Sequence, residues 1–165
     1  MNSTCVQTAG TEHIDSLTNL RALLLEDSSA SYACHDPAVR QHWRTAYREW
    51  LTATLPHPHD VCVLVALRGT QVLGCVTGFV DTRAPGPDCL SGRCGWVQSL
   101  VVDPAHRGVG LSRLLMEALM NWFEQHSVTK VMLQSTRAAE PLYKRLGYRC
   151  SDETGWAWQP ARHTA

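Results

Sequence analysis

Arg107-Gly108-Val109-Gly110-Leu111-Ser112-Arg113 (RGVGLSR) stands between a run that reads as a strand and a run that reads as a helix. The strand is Trp96–Val102 (WVQSLVV), and Asp103-Pro104 ends it. The helix is Gly108–Gln125, in which Leu111, Leu114, Leu115, Ala118, Leu119, Trp122 and Phe123 recur on one broad apolar face. A helix start leaves its first N–H groups without intrahelical partners and carries a partial positive charge. Glycines let the backbone approach a bulky anion, and an arginine at each end adds charge-assisted bonds. The stretch therefore has the physics of a pyrophosphate cradle. An ordinary strand-to-helix turn, with Gly supplying the dihedrals, is the other reading of the same residues. A P-loop is excluded because G-x-x-x-x-G-K-[ST] does not occur here. A dinucleotide fingerprint fits no better, since its third glycine is missing and the loop lies late in the chain.

Downstream, Val128–Leu133 reads as a strand, Ala138–Leu146 as a short helix capped by Gly147, and Tyr148–Trp158 as strand-like sequence. Upstream, an extended segment at Thr4–Thr8 precedes a helix over Thr11–Leu25, where Ile14, Leu17, Leu20, Leu24 and Leu25 keep the spacing of one buried face. Asp36-Pro37 reads as an N-cap followed by proline in the first helical position. That helix runs through Val39, Trp43, Tyr47, Trp50 and Leu51 and stops before Pro56. A hairpin follows: Val61–Leu67, a turn at Arg68-Gly69-Thr70, then Gln71–Val80 with two interior glycines. Asp81–Gly95 has the Pro/Gly density of a long surface loop. Strands mixed with helices in this order predict an α/β layered domain, and the length predicts that residues 1–165 form a single one.

Composition narrows the function classes. Fifteen Lys+Arg balance fifteen Asp+Glu, and charged residues are only 18% of the chain, so neither sign dominates and electrostatic capture of nucleic acid or anionic lipid is not expected. The longest fully apolar run, Val61–Leu67, is far shorter than the ~20 residues of a membrane helix. The N-terminus has no basic segment followed by an apolar one, so no secretory signal is visible. The seven cysteines include no C-x-x-C, which favours reduced thiols and a cytoplasmic protein over a disulfide framework or zinc site. Cys89 and Cys94 flank a Gly-containing loop and could bridge under oxidation. His57, His59 and Asp60 offer three metal-ligand types, but the intervening prolines extend the segment and turn neighbours apart, so no metal is expected.

A second motif gives the cradle its context. About 30 residues on lies Ala139-Glu140-Pro141-Leu142-Tyr143-Lys144-Arg145-Leu146-Gly147-Tyr148. It resembles the A-x-x-L-Y-x-x-x-G-F/Y signature of the GNAT superfamily of N-acetyltransferases, and Arg107–Ser112 resembles that superfamily's Q/R-x-x-G-x-G/A motif. Leu100-Val101-Val102-Asp103-Pro104 before the loop also matches, and the order of elements agrees along most of the chain. The resemblance implies the acyl-CoA N-acyltransferase fold, a mixed, mostly antiparallel sheet flanked by helices. It also implies acetyl-CoA as co-substrate. Backbone N–H groups of Gly108, Val109, Gly110, Leu111 and Ser112 would hold the pyrophosphate, flanked by Arg107. Arg113 would touch a phosphate or remain a solvated helix residue. Strand backbone at Leu100, Val101 and Val102 would pair with the pantetheine arm, and an N–H there would polarise the thioester carbonyl. Tyr143 takes the place of the acid that protonates the departing thiolate. Thr136, where many relatives carry Asn, and Ala139 complete the coenzyme contacts.

Two departures from the pattern matter. Ser112 replaces a small Gly/Ala, and the strand positions where several relatives carry a general-base Glu hold Trp96 and Gln98, with no carboxylate between Gly95 and Val102. A lysine-like amine needs about 4.6 kcal/mol to lose its proton at pH 7, an α-amine only ~1 kcal/mol. Either the acceptor is weakly basic or a base comes from elsewhere; His35, Asp36 and Asp81 are candidates, though each reads more readily as a cap or loop residue. Trp43 and Trp50 read as a core stripe. Trp156 and Trp158 could pack in the core, rim an acceptor pocket or line a homodimer contact. The expected activity is N-acetylation of a small-molecule primary amine by direct attack. The alternatives are a protein or peptide amine acetyltransferase and a non-catalytic acyl-CoA-binding sensor.

Overall fold

The protein is described from a computed structural model, which covers residues 3–26, 33–152 and 156–157. In chain order the elements are β1 (Thr4–Thr8), α1 (Ile14–Leu25), α2 (Pro37–Thr54), β2 (Val61–Arg68), β3 (Gln71–Thr82), β4 (Arg93–Val102), α3 (Leu111–Gln125), β5 (Lys130–Leu133) and α4 (Glu140–Arg145). They fall into two compact units, Met1–Gln134 and Ser135–Ala165.

The first unit holds a five-stranded sheet in the order β1-β2-β3-β4-β5. Its first three pairings are antiparallel and β4–β5 is parallel. The expected mixed, mostly antiparallel sheet is thus present, flanked by helices. On one face, Leu17 and Leu20 of α1 and Tyr47 and Leu51 of α2 pack with Val63, Val65 and Leu67 of β2, Cys75 and Val101. The other face carries α3, through Leu111, Leu115, Met116, Leu119 and Phe123. Here the glycines within the strands have a role. A Cβ at Gly78 would lie 2.6 Å from a Leu119 methyl, and one at Gly95 2.9 Å from the Phe123 ring. Only bare backbone lets α3 come this close. A strand buried on both faces reads as a continuous apolar run, which is how VCVLVAL of β2 looks.

The capping chemistry of α2 follows from Asp36, whose carboxylate accepts from the N–H groups of Ala38 (2.8 Å) and Val39 (3.4 Å) ahead of Pro37. At the other end of the α1–α2 connection, Arg44 donates two bonds to Glu26, at 2.7 and 2.8 Å. This pairing holds the buried Glu26 carboxyl below its ordinary range, the Arg44 hydrogen bond outweighing the opposing effect of burial.

Three sequence expectations need revision. The loop predicted over Asp81–Gly95 is confined to residues 83–92, because β3 and β4 continue to pair through Val80–Gly95, Asp81–Cys94 and Thr82–Arg93. The helix predicted from Gly108 starts at Leu111, because Gly108 and Gly110 lie at φ +81° and +87°, outside helical space. No strand forms over residues 148–152, a polar stretch with little to bury, and residues 153–155 and 158 onward lie outside the described residues. Cys89 and Cys94 are free thiols whose sulfurs stand 3.6 Å apart. The Thr129 hydroxyl draws the Cys89 thiol below its ordinary value, while burial raises that of Cys94. No helix among the described residues is long and apolar enough to cross a membrane.

Candidate functional site

The site begins as a defect in the sheet. β3 and β4 pair at Cys75–Val101 and at Thr77–Gln98, so one β3 residue faces two on β4, Ser99 and Leu100. Ser99 absorbs the extra residue by adopting φ +59°, rare for a side chain other than glycine. The same stretch is where β4 loses its other neighbour. Parallel pairing with β5 ends at Val97–Leu133, although β4 runs on with β3 to Val102. From Gln98 to Val102 the outer edge of β4 therefore has no strand partner among the described residues. This open edge includes Leu100, Val101 and Val102. It offers backbone donors and acceptors to an extended ligand, as any unpaired edge does.

β4 leads directly into the glycine stretch. Asp103 accepts from Ala105 N–H (2.9 Å) and starts a single 3₁₀ turn at Pro104–His106. Arg107 Nε donates to the Val102 carbonyl at 3.1 Å, tying the exposed stretch back to the end of the strand. No side chain caps α3, and its first intrahelical bond is Leu114 N–H to the Gly110 carbonyl, 3.1 Å. The N–H groups of Leu111, Ser112 and Arg113 precede that bond and lack an intrahelical acceptor. A Cβ built on Gly108 or Gly110 would meet nothing within 4 Å, so open space lies against both glycines. Gly108, Val109 and Gly110 are exposed, Leu111 anchors the helix in the core, and Ser112 is half-buried. An uncapped helix start with room in front suits a diphosphate. Arg113 is exposed and bonded to Glu117 at 2.6 Å, as a solvated helix residue would be.

Beside the bulge lies a cavity of about 340 Å³ lined by Arg21 and Leu25 of α1, Trp43, Ala46, Tyr47 and Trp50 of α2, Phe79 and Gln98. Its rings form a continuous wall. Tyr47 stacks on Trp50 (5.8 Å, 12°), and Trp50 meets Phe79 at 6.0 Å. The Arg21 guanidinium lies 4.6 Å above the Tyr47 ring and donates to the Ser99 hydroxyl at the bulge. Burial pushes the Tyr47 phenol up to about 12, so at neutral pH it is uncharged. Trp43 and Trp50 do pack against the core as expected, but they also line this cavity.

The remaining candidates belong to the second unit. Thr136 is exposed and precedes the 3₁₀ turn Arg137–Ala139, with Ala139 N–H bonded to its carbonyl at 3.0 Å. Ala139 is half-buried at the start of α4. Tyr143 is half-buried, and its ring meets Tyr148 edge-on at 5.8 Å. Gly147, at φ +86°, lets the chain turn back so that Tyr148 N–H reaches the Tyr143 carbonyl, 3.0 Å. Burial, and then the neighbouring Tyr143, raise the Tyr148 phenol to about 12.

None of the three suggested bases lines the cavity. Asp36 caps α2, His35 Nδ1 lies 3.4 Å from Arg40, and Asp81 accepts from Arg83 at 3.3 Å. Arg21, Tyr47, Phe79 and Ser99 escaped the sequence reading. One signal was available: Arg21 is the only charged residue within the apolar stretch Leu17–Leu25. Trp156 is exposed, and Trp158 lies outside the described residues.

Comparison with known proteins bears on this geometry. The model of the acetyltransferase (GNAT) family matches residues 18–148. A glucosamine 6-phosphate N-acetyltransferase of Trypanosoma brucei brucei is 34% identical over 83 residues, which are 50% of this chain and 56% of that protein. The chain thus spans little more than half the length of that curated relative. Among solved structures, a GCN5-related N-acetyltransferase from Ralstonia eutropha superposes with a TM-score of 0.80 at 20% identity, covering 94% of this chain and 99% of the other. A predicted acetyltransferase from Clostridium acetobutylicum, solved with acetyl-CoA, gives 0.79 at 17% identity, covering 94% and 96%. At such identities these structures speak to fold alone.

Proposed function

The chain belongs to the GNAT acetyltransferase family, and on that premise we propose that it acts as one domain transferring acetyl from acetyl-CoA to the primary amine of a small molecule by direct attack. One observation carries the reading. The β4 edge freed after Val97 runs straight into an uncapped, glycine-rich helix start, giving one extended binding line followed by one anion site. Acetyl-CoA supplies the thioester; the chain supplies position and charge. N–H groups of residues 108–112, with Arg107 held on the Val102 carbonyl, bind the diphosphate. Backbone at Leu100–Val102 pairs with the pantetheine arm, and an N–H there withdraws charge from the carbonyl under attack. Thr136 and Ala139 add coenzyme contacts. Arg113 contributes a phosphate contact only by exchanging its Glu117 partner.

The Tyr143 hydroxyl donates its proton to the departing thiolate. In bulk water that transfer is uphill by roughly 2 kcal/mol, and burial of the thiolate offsets the difference. No carboxylate among the described residues lines the cavity, so the amine reaches it unprotonated or sheds its proton to water. The cavity's volume falls at the low end of the roughly 300–1,000 Å³ usual for ligand pockets. That favours a small acceptor over a peptide segment, and the amino-sugar acetyltransferase among the relatives points the same way.

Calorimetry with coenzyme A, followed by thiol release from acetyl-CoA across an amine panel, tests the proposal. Saturable binding with turnover on any small amine is expected. Failure to bind coenzyme A refutes it, and tight binding without turnover across the panel replaces it with the sensor reading.

A further inference from the structure

The cavity beside the β4 bulge carries more information than its size. We propose, building on the acetyltransferase reading above, that its acceptor is an aromatic α-amino acid or close analogue, with the carboxylate held by Arg21 and the ring against Trp43, Trp50 and Phe79.

Charge is the first constraint. Among the described residues the lining contains one cation, Arg21, and no Asp or Glu. Two other arginines on these helices have carboxylate partners, Arg44 with Glu26 and Arg48 with Asp15, while Arg40 bonds to the Cys34 and Glu26 carbonyls. Arg21 is half-buried, and its partners among the described residues, the Ser99 hydroxyl and the ring and phenol of Tyr47, are neutral. A guanidinium withdrawn from water and given no counter-charge among the described residues is suited to a ligand that brings one, and its planar fork matches a carboxylate. The same charge repels an acceptor that is only an ammonium.

Shape supplies the second constraint. All three ring contacts along this wall involve α2, and Phe79 extends it onto the sheet. Apart from Arg21, Gln98 and the Tyr47 phenol, the lining offers side chains with little hydrogen-bonding capacity. An amino sugar entering here would leave hydroxyls unpaired, whereas a flat apolar ring gains from stacking.

Position joins the two. Arg21 is tethered to Ser99, and Gln98 is the next residue on β4. Anion and reacting amine therefore belong at the same end of the cavity, beside the strand that would hold the thioester. An α-amino acid carries both groups on one carbon.

The test compares kcat/KM for L-phenylalanine, phenethylamine and glucosamine 6-phosphate, using acetyl-CoA and the full chain. All three carry a primary amine; phenethylamine lacks the carboxylate, and glucosamine 6-phosphate lacks both carboxylate and aromatic ring and carries a phosphate instead. L-Phenylalanine is expected to lead each of the others by about tenfold or more, the scale of one charge-assisted contact. In Arg21→Gln its lead over phenethylamine should fall to about one, and Arg21→Lys, which keeps the charge, should restore part of it. Preference for the amino sugar, or equal use of phenethylamine by the unmodified protein, overturns the proposal. So does coenzyme A binding without turnover or calorimetric binding of L-phenylalanine. Absence of coenzyme A binding instead brings down the acetyltransferase reading on which it rests.

Discussion

Replacing Gly110 by alanine separates backbone strain from ligand contact. Gly110 sits at φ +87°, ψ +5°, where an L side chain costs about 1–2 kcal/mol. The stiffer unfolded chain returns ~0.4–1 kcal/mol, leaving a net loss of about 1 kcal/mol, or about 2–4 °C in Tm for a chain of this size. The added methyl meets no protein atom within 4 Å, so no packing clash adds to that figure. It projects instead into the space reserved above for a diphosphate. Displacing one phosphate oxygen from its N–H donor forfeits a charge-assisted bond, about 1.5–3 kcal/mol, which raises the coenzyme A Kd by roughly ten- to hundredfold. Gly69→Ala is the control, because Gly69 lies at φ +62° in the β2–β3 turn and carries the same strain. Thermal unfolding should show similar losses for both variants, while calorimetry shows weakened coenzyme A binding for Gly110→Ala alone. Unchanged affinity in Gly110→Ala, or equal weakening in both, refutes the cradle.

Further outcomes follow from other parts of the molecule. Tyr143→Phe should lower kcat by about tenfold or more, the scale of general-acid catalysis, while the coenzyme A Kd stays within about twofold; a kcat that does not move under rate-limiting chemistry removes the phenol from the reaction. Glu26 has a depressed folded-state pKa, so its contribution is present above the unfolded value near ~4.3 and disappears as pH falls through the folded value. Urea denaturation should therefore show Glu26→Gln less stable than the parent near neutrality, with the gap closing in acid; parallel curves would contradict the pairing with Arg44. Hydrogen peroxide should couple Cys89 to Cys94, the two thiols giving up two hydrogens as the peroxide becomes two waters. Peptide mapping that finds both thiols free, or joined to other cysteines, tells against that geometry.

Local chemistry was legible in the residues. Asp36-Pro37 announces a capped helix, and the two motifs around Arg107 and Tyr143 announce the family, because caps, glycine turns and anion cradles depend on neighbours in the chain. Helix and strand periodicities were equally local, and most elements lie where their patterns place them. Boundaries were less so. Asp81, Thr82 and Arg93–Gly95 look like loop by composition but are strand because each finds a partner across the hairpin.

The cavity beside the β4 bulge was not legible. Ser99 takes a left-handed conformation only because β3 offers one residue where β4 offers two, and such a mismatch exists only once strands are paired. Arg21, Tyr47, Phe79 and Gln98 come from four separate elements, and the aromatic spacing that reads as a core stripe along α2 cannot reveal that part of it borders a void. By itself, then, the sequence determined most of the secondary elements, the family and the glycine turn ahead of α3, since those rest on contacts a few residues apart. Only the tertiary structure decided where β4 parts from β5 and which side chains surround the space beside it, because register and long-range packing arise from the whole sheet at once.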